Sequence, residues 1–195
     1  MEETKELMQK ESEEQDITEA VDYIRYAGLT INQMDSIGYF SAPASASHHL
    51  AKRGGLAKHS VNVTKRLLEL SSAIGVPWSR RESPYIVGML HDVVKCRCYK
   101  FEIDEDSGEE NIIRVPHPYS GHGAASVAII ACELGFALHP DEASAIFHHM
   151  GAFNLTGYDL KDFDHALGIF PLQIIATHTA DMLAARFDEE NTYSR

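Results

Sequence analysis

Apolar residues recur at helical spacing along most of the chain, and glycines and prolines punctuate the runs. Residues 1–15 are polar and predict an N-terminal extension, frayed or a loosely attached helix, ahead of a single domain over 16–195. Asp16-Ile-Thr-Glu19 has the form of a capping box and predicts a helix that starts there and ends at Gly28. A short helical stretch follows around Ile31 to Gly38. Ser41 to Gly55, rich in Ser, Ala, Gly and Pro, reads as an ordered loop. Leu56, Val61, Val63, Leu67, Leu68 and Leu70 then mark a helix to Ile74, closed by Gly75 and Pro77. Residues 83–95 predict a further helix, apolar on most sides through Tyr85 to Leu90 and therefore buried.

The period then changes. Tyr99-Lys-Phe-Glu-Ile103 alternates, Asp106-Ser-Gly-Glu109 supplies a turn, and Ile112-Ile-Arg-Val115 resumes, which predicts a β-hairpin. Helical patterns return at about 122–135, 140–150 and 171–187, with Pro140 and Pro171 near two of the starts. The expected class is all-α, a compact helical domain with one small inserted hairpin. At 195 residues it is large enough to bury a core without staples.

Composition narrows the class further. No apolar run approaches the length that spans a bilayer, and the charged first ten residues carry no stretch of the secretory-signal kind. Three cysteines (Cys96, Cys98, Cys132) are too few and scattered for a disulfide framework, and Cys96-x-Cys98 lacks the second pair of a thiolate metal site. A cytoplasmic protein with reduced thiols is expected. The formal charge of -12 argues against a protein that coats nucleic acid, so no stable nucleic-acid complex is expected. Cations concentrate at Lys52, Arg53 and Lys58 and again at Lys95, Arg97 and Lys100. An acidic chain with a locally basic region suits a small anionic substrate. Surface lysines solvated in the ordinary way are the bland alternative at each position. The oligomeric state is left open, a homo-oligomer included.

Eleven histidines give the chain its candidate chemistry. His59 sits inside an apolar helix, His91-Asp92 ends the most apolar one, and His122 follows Gly121 at a helix start. His148-His149 ends another helix, and Asp181 lies within the last. Buried imidazole and carboxylate are costly unless paired or metal-bound. Groups of this kind on successive helices can share one solution, a metal site inside the bundle. Nitrogen and carboxylate ligands together suit Mn, Fe, Co, Ni or Zn better than Ca or Mg. Taken one at a time, each histidine has a bland reading as a hydrogen-bonded core residue. His117 and His139 precede prolines and read as exposed loop residues, and His165 reads as a surface residue. Tyr85, Phe147 and Phe153 read as core or wall.

The ordered series His59, His91-Asp92, Asp181 resembles the HD superfamily of metal-dependent phosphohydrolases. Gly54-Gly-Leu-Ala-Lys-His59-Ser resembles its first ligand motif, Leu90-His-Asp-Val-Val-Lys95 its HD-x-x-K, and His178-Thr-Ala-Asp181 its closing motif. The likeness covers about residues 40–187. Ser47-His-His49, Ser120-Gly-His122-Gly and His148-His149 are similar to the HD domain of a bacterial 3′–5′ exoribonuclease. That enzyme also carries an OB-fold RNA-binding domain, for which this sequence leaves no room, so processive RNA degradation is not expected. Met150-Gly-Ala-Phe153 resembles small stand-alone members instead.

The resemblance implies that His59, His91, Asp92 and Asp181 hold one divalent transition-metal ion. It implies that His122 with His148 or His149 hold a second ion bridged by Asp92, or else contact substrate, giving one or two ions per chain. Asp92 and Lys95 take the catalytic roles, with Lys95 one turn after His91 and in reach of a phosphate. Its alternative role is a helix-end lysine complementing the dipole. Lys58, Arg53 and His49 are the expected substrate contacts. The reaction implied is cleavage of a phosphate mono- or diester, of a nucleotide or a related small anion. Two other readings share the ligand set: a di-iron oxygenase on the HD scaffold, and a non-catalytic module that binds a nucleotide.

Overall fold

The computed structural model describes residues 2–152 and 157–189. In chain order it runs α1 (Glu2–Tyr26), α2 (Ile31–Ser36), α3 (Gly55–Ile74), α4 (Ser83–Leu90) and α5 (Lys95–Cys98). Then come β1 (Tyr99–Ile103), β2 (Glu110–Arg114), α6 (His122–Cys132), α7 (Pro140–Phe147), α8 (Gly157–Ile169) and α9 (Pro171–Leu183). A π-helical segment, Ala184–Asp188, continues α9. The fold is mostly α with one two-stranded antiparallel hairpin, whose register pairs Tyr99 with Arg114 and Ile103 with Glu110. No described helix is long and apolar enough to cross a membrane.

Several boundaries differ from the sequence reading. α1 passes through Asp16–Glu19 without a break, and Thr18 donates its hydroxyl to the Glu14 carbonyl at 2.9 Å, a bond of the helix interior. A capping box does occur, one element later. Thr30 accepts from the Gln33 amide at 3.2 Å while the Gln33 side chain accepts from the Thr30 amide at 3.0 Å. The helix expected over 83–95 stops at Leu90, and tight turns through His91–Val94 lead into α5. α8 was not expected. Its sequence is mostly polar, and among its residues with described side chains only Ala166 is buried, so it lacks the apolar stripe that announces a helix.

α3 is the central element, packed by α1, α4 and α9, with α7 against α4, α6 and α9. Leu56, Val63 and Leu67 on α3 meet a core that includes Ile86, Met89, Leu90, Ile129, Ile130 and Ile146, all without exposed surface. Two glycines allow this closeness. A Cβ on Gly88 would lie 2.3 Å from Thr64 Oγ1, and one on Gly123 would lie 2.1 Å from the Phe147 carbonyl oxygen. α4 and α3 can therefore touch nearly backbone to backbone, as can α6 and the end of α7. The start of α7 is pinned by charge: Arg80 forks onto buried Glu142 at 2.7 and 2.8 Å, and Ser83 donates to the same carboxylate at 2.7 Å. These contacts tie the starts of α4 and α7 together, at the opposite ends of the two helices from His91 and His149.

Candidate metal centre

Five separate places in the fold send polar side chains into one interior region. His59 comes from the first part of α3, on the same buried face as Leu56 and Val63. His91 and Asp92 come from the corner that ends α4, His122 is the first residue of α6, His149 follows α7, and Asp181 lies in α9. His59, His91 and His149 have no exposed surface, and Asp92 is 2% exposed. His178 donates from Nδ1 to the His149 carbonyl at 2.7 Å and so holds the backbone that presents that imidazole.

Asp92 is the hinge of the geometry. Its Oδ2 lies 3.6 Å from His91 Nε2 and 3.8 Å from His59 Nε2, while Oδ1 lies 2.5 Å from His122 Nε2 and 3.3 Å from His149 Nε2. Asp181 Oδ1 sits 3.1 Å from His59 Nε2 and 3.9 Å from His91 Nε2. The donor atoms thus fall into two adjoining triads, His59–His91–Asp181 and Asp92–His122–His149. Within each triad they lie within 4.8 Å of one another. One oxygen of Asp92 faces each triad.

The imidazoles are oriented for the same purpose. His91 donates from Nδ1 to the Gly88 carbonyl at 2.9 Å, His149 to the Ile146 carbonyl at 2.7 Å, and His59 to Glu189 Oε1 at 2.8 Å. An imidazole committed through Nδ1 offers its lone pair at Nε2. The Nε2 atoms of these three are buried and make no hydrogen bond; even the 3.1 Å approach of His59 to Asp181 is not aligned as one. Three orphaned nitrogens aimed at two carboxylates are costly in an apolar interior unless a cation sits among them. The donor set could therefore hold a metal ion.

Electrostatics differ from ring to ring, His91 being shifted down and His59 and His149 up. Burial pushes His91 down to about 4, leaving its imidazole neutral at pH 7. Burial also opposes charge on His59, but the nearby carboxylate of Asp181 and the Glu189 carboxylate bonded to Nδ1 overcome it and hold that ring up at about 9, so a cation at Nε2 has to displace a proton. Burial disfavours charge on Asp92, yet Lys95, His122 and His91 keep it well below the usual carboxylate range. The Asp92–Lys95 pair, 2.5 Å apart, likewise keeps Lys95 charged against its own burial.

Beside the triads opens a cavity of about 270 Å³, lined by Asp92, Lys95, His122 and Asp181 and by His48, His49, Met150, Met182, Ala185 and Arg186. The region combines cationic side chains with two flexible thioethers.

Not every residue expected at the site is brought there. His148 turns away, its ring against Phe147 and Phe163. Successive side chains at the end of a helix diverge by about 100°, so one of the doublet faces inward and that one is His149. Arg53 is drawn to the hairpin, with contacts of 3.0–3.1 Å from Nε to Glu110 and its guanidinium over the Phe101 ring. Lys58 pairs with Asp16 at 2.9 Å. Both line a separate cavity with Phe40 and Ser41. His49 does reach the rim of the cavity beside the triads, where its Nδ1 donates to Glu189 Oε2. Lys95 is at the site but on Asp92. His117 is half-buried against Cys98 Sγ, not an exposed loop residue. Tyr85 packs on Tyr23 and Tyr26, Phe147 is 48% exposed at the side of a neighbouring groove, and Phe153 lies outside the described residues.

The residue that sequence reasoning missed is Glu189, 5% exposed and bonded to two histidines. In the sequence it belongs to an acidic run, Asp188 to Glu190, that reads as solvated. The signal that calls for it is indirect: a mid-helix buried imidazole needs an acceptor for its second nitrogen.

Comparison of the chain with protein-family models, with curated proteins and with solved structures finds no match in any of the three.

Proposed function

We propose that the chain is a metal-dependent phosphohydrolase of the HD type, acting on a phosphate ester of a nucleotide or a similarly small anion. The observation that carries this reading is Asp92, one oxygen toward each of two His/Asp triads whose buried Nε2 atoms lack partners. His59, His91 and Asp181 would hold one divalent ion, and His122 and His149 with Asp92 a second. Bound there, the metal would polarise a phosphoryl oxygen and lower the pKa of coordinated water from about 15.7 toward about 7.

The chain's own residues supply the rest. Lys95 and Arg186 bring positive charge to the cavity where a phosphoryl group would accumulate negative charge. Met150 and Met182 give it adaptable apolar wall. Asp92, held ionised by Lys95, His122 and His91, is ready to ligate.

Elemental analysis of protein purified without chelator tests the reading, wild type beside Asp92→Ala. About two transition-metal ions per chain are expected, lost in the variant, and about one would leave His122 and His149 to contact substrate. A screen with Mn²⁺, reading released phosphate for nucleoside monophosphates and separated nucleotide products for short oligonucleotides and cyclic dinucleotides, should then find turnover. Asp92→Ala should abolish it, and Lys95→Ala should mainly raise KM, by about tenfold. Protein that takes up no metal after reconstitution sinks the reading, as does metal-loaded protein that hydrolyses none of these esters.

A further inference from the structure

Glu189 is a buried carboxylate that the two metal triads do not include. It lies just past the π-helical segment, and its side chain has no exposed surface. A carboxylate taken out of water persists only when its oxygens are satisfied. Both are: Oε1 accepts from His59 Nδ1 at 2.8 Å and from Asn62 Nδ2 at 3.2 Å, and Oε2 accepts from His49 Nδ1. His49, His59 and Glu189 also lie close enough together to form a metal-ligand group. Their nitrogens are already committed to the carboxylate, however, so the arrangement is a hydrogen-bonded support.

The reason for a carboxylate at this place follows from where the three buried histidines sit. His91 and His149 come at helix C-termini, where main-chain carbonyls are left without helical partners. Each uses the carbonyl three residues back, Gly88 and Ile146. His59 sits within α3, where the ladder of the helix consumes the carbonyls around it. Its Nδ1–H needs an acceptor from elsewhere in the chain, and Glu189, 130 positions away, provides it.

We propose that Glu189 is a positioning residue for the metal centre. It fixes His59 through Nδ1 so that Nε2 is presented to Asp181 and Asp92, and it ties His49, at the cavity rim, into the same unit. The proposal rests on the metal reading of the site and not on the hydrolase reading.

The test is metal affinity of the full chain, with Zn²⁺ measured by competition against a chromophoric chelator and Co²⁺ by its visible absorption. Partners of this kind are worth about 10–100-fold in affinity. Glu189→Ala should weaken Zn²⁺ binding by about that factor and alter the Co²⁺ spectrum. Glu189→Gln keeps an oxygen for His59 but offers an N–H to His49, so it should fall between, at least about threefold weaker than wild type. A role confined to folding would lower the thermal midpoint of the metal-free protein and leave the affinity of folded protein alone. Zn²⁺ affinity within about twofold of wild type in folded Glu189→Ala overturns the proposal. Should that variant fail to fold, unchanged affinity and spectrum in the isosteric Glu189→Gln overturn it equally. Wild type that takes up neither ion removes the metal reading and this role together. Uptake that is indifferent to residue 189 removes only the role.

Discussion

His148 and His149 are neighbours in the chain and occupy different worlds in the fold. One stacks its ring against Phe147 and Phe163, and the other is fully buried with Nε2 3.3 Å from Asp92. If His149 holds metal as proposed, His149→Ala should weaken metal retention by at least about tenfold, because losing a ligand costs no less than losing a ligand's partner. His148→Ala should leave metal content unchanged, and elemental analysis of the two variants side by side decides. Equal metal loss in both would contradict the assignment. The sequence presents the doublet but not the choice, which depends on how the backbone leaves α7 under the grip of His178 on the His149 carbonyl. Residues buried within apolar surroundings, such as His59 and Asp92, were legible because their context made them expensive. Arg53 and Lys58 misled for the opposite reason. Basic residues near a motif look like substrate contacts, but each has an acidic partner distant in sequence, Glu110 and Asp16, that no local pattern reveals.

At the scale of elements, the pairing of α3 with α4 is the contact on which the site depends, since it sets His59 opposite His91. Gly88 makes that pairing close, and a methyl there would meet Thr64 Oγ1 at 2.3 Å and Thr64 Cα at 2.8 Å. Gly88→Ala should destabilise the protein by about 1–3 kcal/mol, the usual cost of overpacking a core. Urea unfolding of the metal-free protein measures this, and a variant as stable as wild type would show that the helices can part without penalty. The alternation of the hairpin and the apolar stripe of α3 were plain in the sequence, because each element buries one face. The end of α4 was not. Apolar residues continue through Val93 and Val94, which are buried although the helix has already stopped at Leu90. Periodicity reports burial, and burial continues through the corner that carries His91 and Asp92. α8 escaped for the reverse reason, having little buried surface to report.

Across the whole molecule, the centre draws its side chains from α3, the corner after α4, the start of α6, the turn after α7, and α9. No single element can form the site, and each triad is complete only when three separate parts of the chain are in place. Binding to the folded state alone stabilises it by about 2.7 kcal/mol at a free ligand concentration one hundred times Kd. Stripping the ion with a chelator should lower the thermal midpoint, and restoring Mn²⁺ or Zn²⁺ should recover it. A midpoint indifferent to both would mean that the triads hold nothing. The same dispersal has a consequence for the lifetime of the chain. Where opening and closing are fast, a protease cuts in proportion to the population of the open form. The ion would thin that population about a hundredfold under the same conditions. Scarcity of the metal would then be felt first as turnover of the polypeptide, with each emptied molecule exposed to degradation along its whole length.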